Sequence, residues 1–263
     1  HPGPGNGAKA LFIAGGVGGN VNNLFELGQF VGRNRPLIGL QTRGILGHRM
    51  HDTIEATAAD HIVNMRYRQP KGPYLLAGYS GGVFSAFEMA RQLRAAGETV
   101  AFLGLLDMTA PNFESNMAYP RIDRIKYQAR LLRRHGLRPI FSNVSSWLNR
   151  KTNPALVRIG SRFWPEKFRY NVIMQHWQKL SAAYLSGTYD SSAWLYLTDS
   201  ETDGFTVEQM RKIDPLFGWS GLVKGHLKVH RLEAKHLGMV AGASGYLLAE
   251  KMEDDIKTAL RTD

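Results

Sequence analysis

The sequence predicts an α/β fold built on a mostly parallel, doubly wound sheet, and three observations carry that reading. Six short apolar runs alternate along the chain with longer segments whose apolar residues recur every three or four positions. The runs are apolar at successive positions, as strands covered on both faces require. One of them ends in Gly78-Tyr79-Ser80-Gly81-Gly82, a serine set among glycines where a strand pattern meets a helix pattern.

In chain order, HPGPGNGAK at 1–9 is rich in Gly and Pro and reads as a linker or cloning remnant, which puts the domain at 10–263. Strands are predicted at 10–14 (ALFIA), 36–41 (PLIGLQ), 73–78 (PYLLAG), 100–107 (VAFLGLLD), 193–198 (AWLYLT) and 227–232 (LKVHRL). Amphipathic helices are predicted within 20–32, 52–67, 82–96, 171–185 and 246–260. Asp52, with Glu55 three residues on, reads as the cap of the second of these. The interval from Asp107 to Ala193 is far longer than a crossover needs, so it should hold extra helices inserted into the fold.

Composition narrows the function classes. A chain of 263 residues that is 43% hydrophobic can bury one substantial core. It contains no signal-peptide pattern and no apolar run of membrane-spanning length, which reads as a soluble, non-exported protein without stable membrane insertion. With no cysteine there is no disulfide, no thiolate nucleophile and no zinc site built on sulfur, and the expected location is the cytoplasm. The formal charge of +11 is concentrated between Asn112 and Tyr170, where thirteen Lys or Arg face three Asp or Glu. No nucleic-acid-binding motif accompanies that segment, so nucleic acid is not an expected partner.

A serine hydroxyl is a poor nucleophile until a base takes its proton and a carboxylate orients the base. Ser80 sits where a nucleophile elbow would hold it, with glycines two residues to either side relieving collisions between strand and helix. His236, after the last strand and before the last helix, is the histidine positioned to reach it. His48, His51, His61, His135, His176, His226 and His230 read as surface or structural histidines. Chain order leaves the acid open among Asp107, at one strand end, and Asp199 and Asp203, at the next. The oxyanion needs backbone donors, one from Gly81 and one from the loop AGGVGGN at 14–20. That loop lacks both the Walker lysine and G-x-G-x-x-G spacing, which argues against nucleotide binding.

At this point the sequence resembles the α/β-hydrolase thioesterase domains that end nonribosomal peptide and polyketide synthases. LFIAGGVGGN is similar to the family's first strand and oxyanion loop, and GLQTRGILG to its second strand. The stretch QPKGPYLLAGYSGGVFSAFEMARQLRAAGETV is similar to its nucleophile block, LGLLDMTAP to its acid-bearing strand end, and LKVHRLEAKHLGMV to its histidine loop.

The resemblance implies a catalytic Ser80, Asp107 and His236, with the acid at Asp107 in place of Asp199 or Asp203, and oxyanion N–H groups from Val17 and Gly81. It implies that the insertion, about 112–190, is a helical lid over the acyl pocket. It further implies a substrate presented on the phosphopantetheine of an acyl or peptidyl carrier domain, upstream in the same polypeptide. No cofactor or metal of the domain's own is implied. Arg121, Arg124, Arg130, Arg133 and Arg134 are candidate contacts for that carrier or its phosphate. The loop lacks the family's common His-Pro pair, and Glu-Ala-Lys lacks the frequent Asp or Asn before the histidine. The neighbouring expectations are a carboxylesterase or lipase of the same fold, a stand-alone editing thioesterase, and a non-catalytic module binding through the basic segment.

Overall fold

The computed structural model describes residues 1–5, 7–113, 166–198 and 214–262. Six strands, β1 (Leu11–Ala14), β2 (Leu37–Leu40), β3 (Tyr74–Tyr79), β4 (Val100–Leu106), β5 (Ala193–Thr198) and β6 (Leu227–Leu232), form one sheet in the order β2-β1-β3-β4-β5-β6. Every pairing in it is parallel. The strands coincide with the six apolar runs. The described α-helices are α1 (Phe25–Val31), α2 (Ile54–Arg66), α3 (Gly82–Ala95), α4 (Glu166–Ala183), α5 (Trp219–Leu222) and α6 (Gly242–Thr262).

β1, β3, β4 and β5 lack strict alternation because both faces of the sheet are buried there, whereas the edge strand β6 carries Lys228, His230 and Arg231 and is buried only at Leu232. Phe12, Leu76 and Leu103 pack with Ala58, Met65, Val83 and Phe87 of α2 and α3 on one face. Leu11, Ile13, Leu75 and Phe102 pack with Leu27 and Val31 of α1 and Leu248, Met252 and Ile256 of α6 on the other. A buried ion pair adds to the second layer: Arg35 Nε lies 2.7 Å from Glu253 Oε2 and its Nη2 2.9 Å from Oε1, tying the approach to β2 to α6.

One local feature differs from the sequence expectation. Thr53, not Asp52, caps α2, its hydroxyl accepting from the Ala56 N–H at 3.0 Å, while Asp52 pairs with Arg49 at 3.0 Å. Both residues precede the helix and both suit a cap, so the backbone's exact entry decides between them. Beside β2, the His1 backbone N donates to the Leu37 carbonyl at 2.8 Å, and the Leu37 N–H to the His1 carbonyl at 3.1 Å. Among the described residues no helix is long and apolar enough to cross a membrane.

The topology fixes where a site can form. Because β1 and β3 are paired, with Ala14 beside Gly78, the loops leaving their carboxyl ends are neighbours at the point where strand order reverses. β4 and β5 follow next to β3, so their ends open on the same edge.

Candidate active site

Ser80 follows β3 directly and occupies a left-handed backbone conformation, φ 51°, at a cost of about 1–3 kcal/mol for a residue with a side chain. The flanking structure holds it there. The Ser80 N–H donates to the Leu106 carbonyl at 2.8 Å, and α3 starts at Gly82. The flanking glycines are demanded by contact: a Cβ at Gly78 would lie 2.5 Å from the Gly82 carbonyl oxygen, and one at Gly82 would collide with the carbonyls of Ala14 and Gly15. Strand, helix and first loop therefore converge on the serine.

His236 Nε2 lies 3.0 Å from Ser80 Oγ, and His236 Nδ1 lies 2.7 Å from Asp107 Oδ2. A carboxylate only accepts, so Nδ1 carries the proton and the lone pair of Nε2 faces the serine hydroxyl. Asp107 leaves β4 at φ 52°, its N–H donating to the Tyr196 carbonyl at 2.7 Å. Its carboxylate is held from the neighbouring strand end: the Thr198 N–H donates to Oδ1 and the Thr198 hydroxyl to Oδ2, each at 2.7 Å.

Beneath the imidazole, the Tyr79 ring stacks on it with centroids 5.2 Å apart and planes 18° from parallel, and the Tyr79 hydroxyl donates to the His236 carbonyl at 2.8 Å. Burial and the nearby Asp107 charge push the Tyr79 phenol well above its ordinary pKa, so it remains a donor throughout the neutral range.

The loop after β1 turns through a short 3-10 segment, Val17–Gly19, with Gly18 at φ 79°. Thr42 secures it, its hydroxyl donating to the Gly18 carbonyl at 2.8 Å. Val17 meets the serine turn: its Cα is 3.2 Å from the point where a Cβ on Gly81 would stand. α4 closes the other side, with Ile173 Cγ2 3.1 Å from the corresponding point on Gly18. The ring Nε2 of His176 in α4 donates to the His51 carbonyl at 2.6 Å, since a carbonyl oxygen only accepts.

Ser80, Asp107 and His236 are thus brought into one hydrogen-bonded line, with Val17 and Gly81 side by side next to it. Asp199, Asp203, Arg121, Arg124, Arg130, Arg133 and Arg134 lie outside the described residues, as does most of the expected lid. Thr198, Tyr79 and Trp177 were not singled out by sequence reasoning. Tyr79 stands inside the serine motif and Thr198 directly precedes Asp199, but neither position discloses its partner. His230 is structural, its ring 2.7 Å from the buried carboxylate of Asp255.

A parallel doubly wound sheet that presents a serine on a strained strand-to-helix turn, and carries a histidine after its last strand, defines an α/β-hydrolase. The chain belongs to the thioesterase domain family, whose profile matches residues 9–255.

Among curated proteins, it is 37% identical over 99 residues to the nonribosomal peptide synthetase pngA of Aspergillus terreus, covering 37% of this chain and 10% of that protein. It is 44% identical over 97 residues to the indigoidine synthase of Dickeya dadantii, covering 36% of this chain and 6% of that protein. The chain thus spans a tenth or less of the length of these relatives. Among solved structures, a covalent complex of the NocB thioesterase domain with a fluorophosphonate nocardicin G analogue aligns at TM-score 0.63 and 22% identity, covering 96% of this chain and 95% of that one. The type II thioesterase BorB from the borrelidin biosynthetic cluster aligns at TM-score 0.64 and 13% identity, covering 97% and 95%. A four-domain nonribosomal peptide synthetase, holo-AB3403, aligns at 0.65 and 21% identity, covering 96% of this chain and 20% of that one.

Proposed function

We propose that this chain releases acyl groups from the phosphopantetheine thioester of a carrier domain, through an acyl-enzyme on Ser80. The carrier would lie upstream in a longer synthetase, of which this chain is the releasing domain. As Ser80 Oγ bonds the thioester carbon, its proton passes to His236 Nε2 and from there to the leaving sulfur as the C–S bond breaks. Asp107 keeps the imidazole in the tautomer that can accept that proton. The backbone N–H groups of Gly81 and Val17 hold the oxyanion. Water, or a hydroxyl or amine of the acyl chain itself, then attacks the ester, its proton returning through His236 to Ser80 Oγ. The product is an acid or a ring.

The observation that carries this reading is the alignment of Ser80, His236 and Asp107 at 3.0 and 2.7 Å within a thioesterase-family chain. The test is turnover of an acyl thioester loaded on a carrier protein by wild type and Ser80→Ala. The variant should retain a correct fold and lose roughly 10⁴- to 10⁶-fold in kcat. Substantial release by Ser80→Ala would end the mechanism.

A further inference from the structure

Trp177 in α4 is 5% exposed, and its indole nitrogen is shut off from solvent with no hydrogen-bond partner among the described residues. An indole N–H is only a donor, and leaving one buried and unpaired is costly, so such a group calls for an explanation. Its position supplies one. Nε1 lies 2.6 Å from the point where a Cβ on Gly81 would stand, and Val17 Cγ2 lies 3.1 Å from the same point. The indole N–H therefore borders the two residues whose backbone N–H groups are the proposed oxyanion donors. The glycine directly after Ser80 is matched to this arrangement, because any side chain there would occupy the space of the indole edge.

Ile173, one turn earlier on α4, packs toward Gly18, and the ring of the neighbouring His176 donates to the His51 carbonyl at 2.6 Å. α4 is thereby tied to the loop after β1 and to the His51 segment, and the indole N–H has no hydrogen-bond partner among the described residues.

Resting on the proposed function, we propose that Trp177 is a side-chain donor reserved for the acyl group, binding an oxygen at or beside the reacting carbonyl. The donor has no partner among the described residues of the free enzyme and gains one in the acyl-enzyme. A donor of this kind makes a prediction that a packing residue does not: removing the N–H while keeping the ring should slow the reaction without weakening the fold.

Trp177→3-benzothienylalanine replaces the N–H by sulfur at nearly constant shape, and Trp177→Phe serves as a second variant. Each is assayed with N-acetylcysteamine thioesters of hexanoic acid and of 2-hydroxyhexanoic acid, alongside thermal unfolding. The expected result is a fall in kcat/KM of roughly three- to tenfold for the benzothienyl variant, with an unfolding midpoint unchanged or raised. An equal fall on both thioesters assigns the N–H to the reacting carbonyl oxygen, and a fall confined to the hydroxylated one assigns it to the substituent. Unchanged rates on both, or a parallel loss of rate and stability, would overturn the proposal.

If wild type cleaves neither thioester, it is the thioesterase reading that fails. Trp177 is then judged by fluorophosphonate labelling, in which Ser80 Oγ bonds phosphorus, fluoride leaves and the serine proton passes to His236. The phosphoryl oxygen stands where the carbonyl oxygen would, so slower labelling of the benzothienyl variant supports the donor and unchanged labelling overturns it.

Discussion

Thr198 donates to both carboxylate oxygens of Asp107, its backbone N–H to one and its hydroxyl to the other, each at 2.7 Å. The residue at the end of β5 thus orients the acid at the end of β4, and through it the imidazole of His236. Removing the hydroxyl leaves the carboxylate one anchor and allows it to rotate away from Nδ1. Thr198→Val should lower kcat roughly ten- to a hundredfold with little change in KM, because small misplacements of a catalytic group are expensive. Thr198→Ser should restore most of the loss. Steady-state kinetics of the three proteins check this, and a Val variant as active as wild type would remove Thr198 from the positioning role.

The acid itself is tested by comparing Asp107→Asn with Asp199→Asn. With an amide at 107 the imidazole loses its acceptor at Nδ1 and can adopt the tautomer that presents a proton to Ser80. Turnover should fall roughly 10³- to 10⁴-fold in the first variant and stay within a few-fold of wild type in the second. Collapse in Asp199→Asn alone would move the acid to the later strand end.

His61 gives the fold a calculable acid sensitivity. Burial holds this imidazole, on the inner face of α2, at a pKa of about 4, and Asp60 and His51 act on it more weakly in opposite directions. The unfolded chain takes up the proton near pH 6.5 and the folded chain only near 4, so the unfolded state binds more protons between those values. Stability is therefore complete above pH 6.5 and declines as pH falls toward 4, by roughly 2–4 kcal/mol at 1.36 kcal/mol per unit. Denaturant midpoints across this window should show the decline in wild type and a flatter profile in His61→Phe. Equal slopes in both would assign the sensitivity to other groups.

The basic stretch between Asn112 and Tyr170 bears on how a carrier would be recognised. If Arg121, Arg124, Arg130, Arg133 and Arg134 attract an acidic carrier, raising ionic strength from 0.05 to 0.5 M should raise KM for the carrier-bound thioester several-fold. KM for a neutral N-acetylcysteamine thioester should not change. A KM for the carrier substrate that ignores salt would leave these arginines as a solvated surface.

Much of the fold was legible because the sheet is covered on both faces. Strands β1, β3, β4 and β5 are nearly uninterrupted apolar runs, and runs such as ALFIA and VAFLGLLD stand out against helices of period 3.6, whereas the edge strand β6, LKVHRL, is the weakest of the six signals. Ser80 and His236 were legible because the elbow and the loop after the last strand are fixed in chain order. Spacing alone left the acid open, since Asp107 and Asp199 both end strands, and it was the family resemblance that pointed to Asp107. Only three-dimensional register brings the Asp107 carboxylate to the imidazole. Thr198 escaped for the same reason, as its role depends on β5 lying next to β4. Trp177 escaped because the chain reaches it about a hundred residues after Gly81, and no local pattern marks one tryptophan on an amphipathic helix as facing a serine turn. The choice of Thr53 over Asp52 turned on one residue of backbone entry, finer than capping preference resolves.

In the proposed reaction Ser80 carries the acyl group between thioester and product. Its most direct test is rapid quenching of the protein during turnover of a carrier-bound acyl thioester, followed by peptide mass analysis. The acyl mass should appear on the peptide containing Ser80, forming before free product and missing in Ser80→Ala. Product release with no adduct on Ser80 at any time, or with the adduct on another residue, would contradict it.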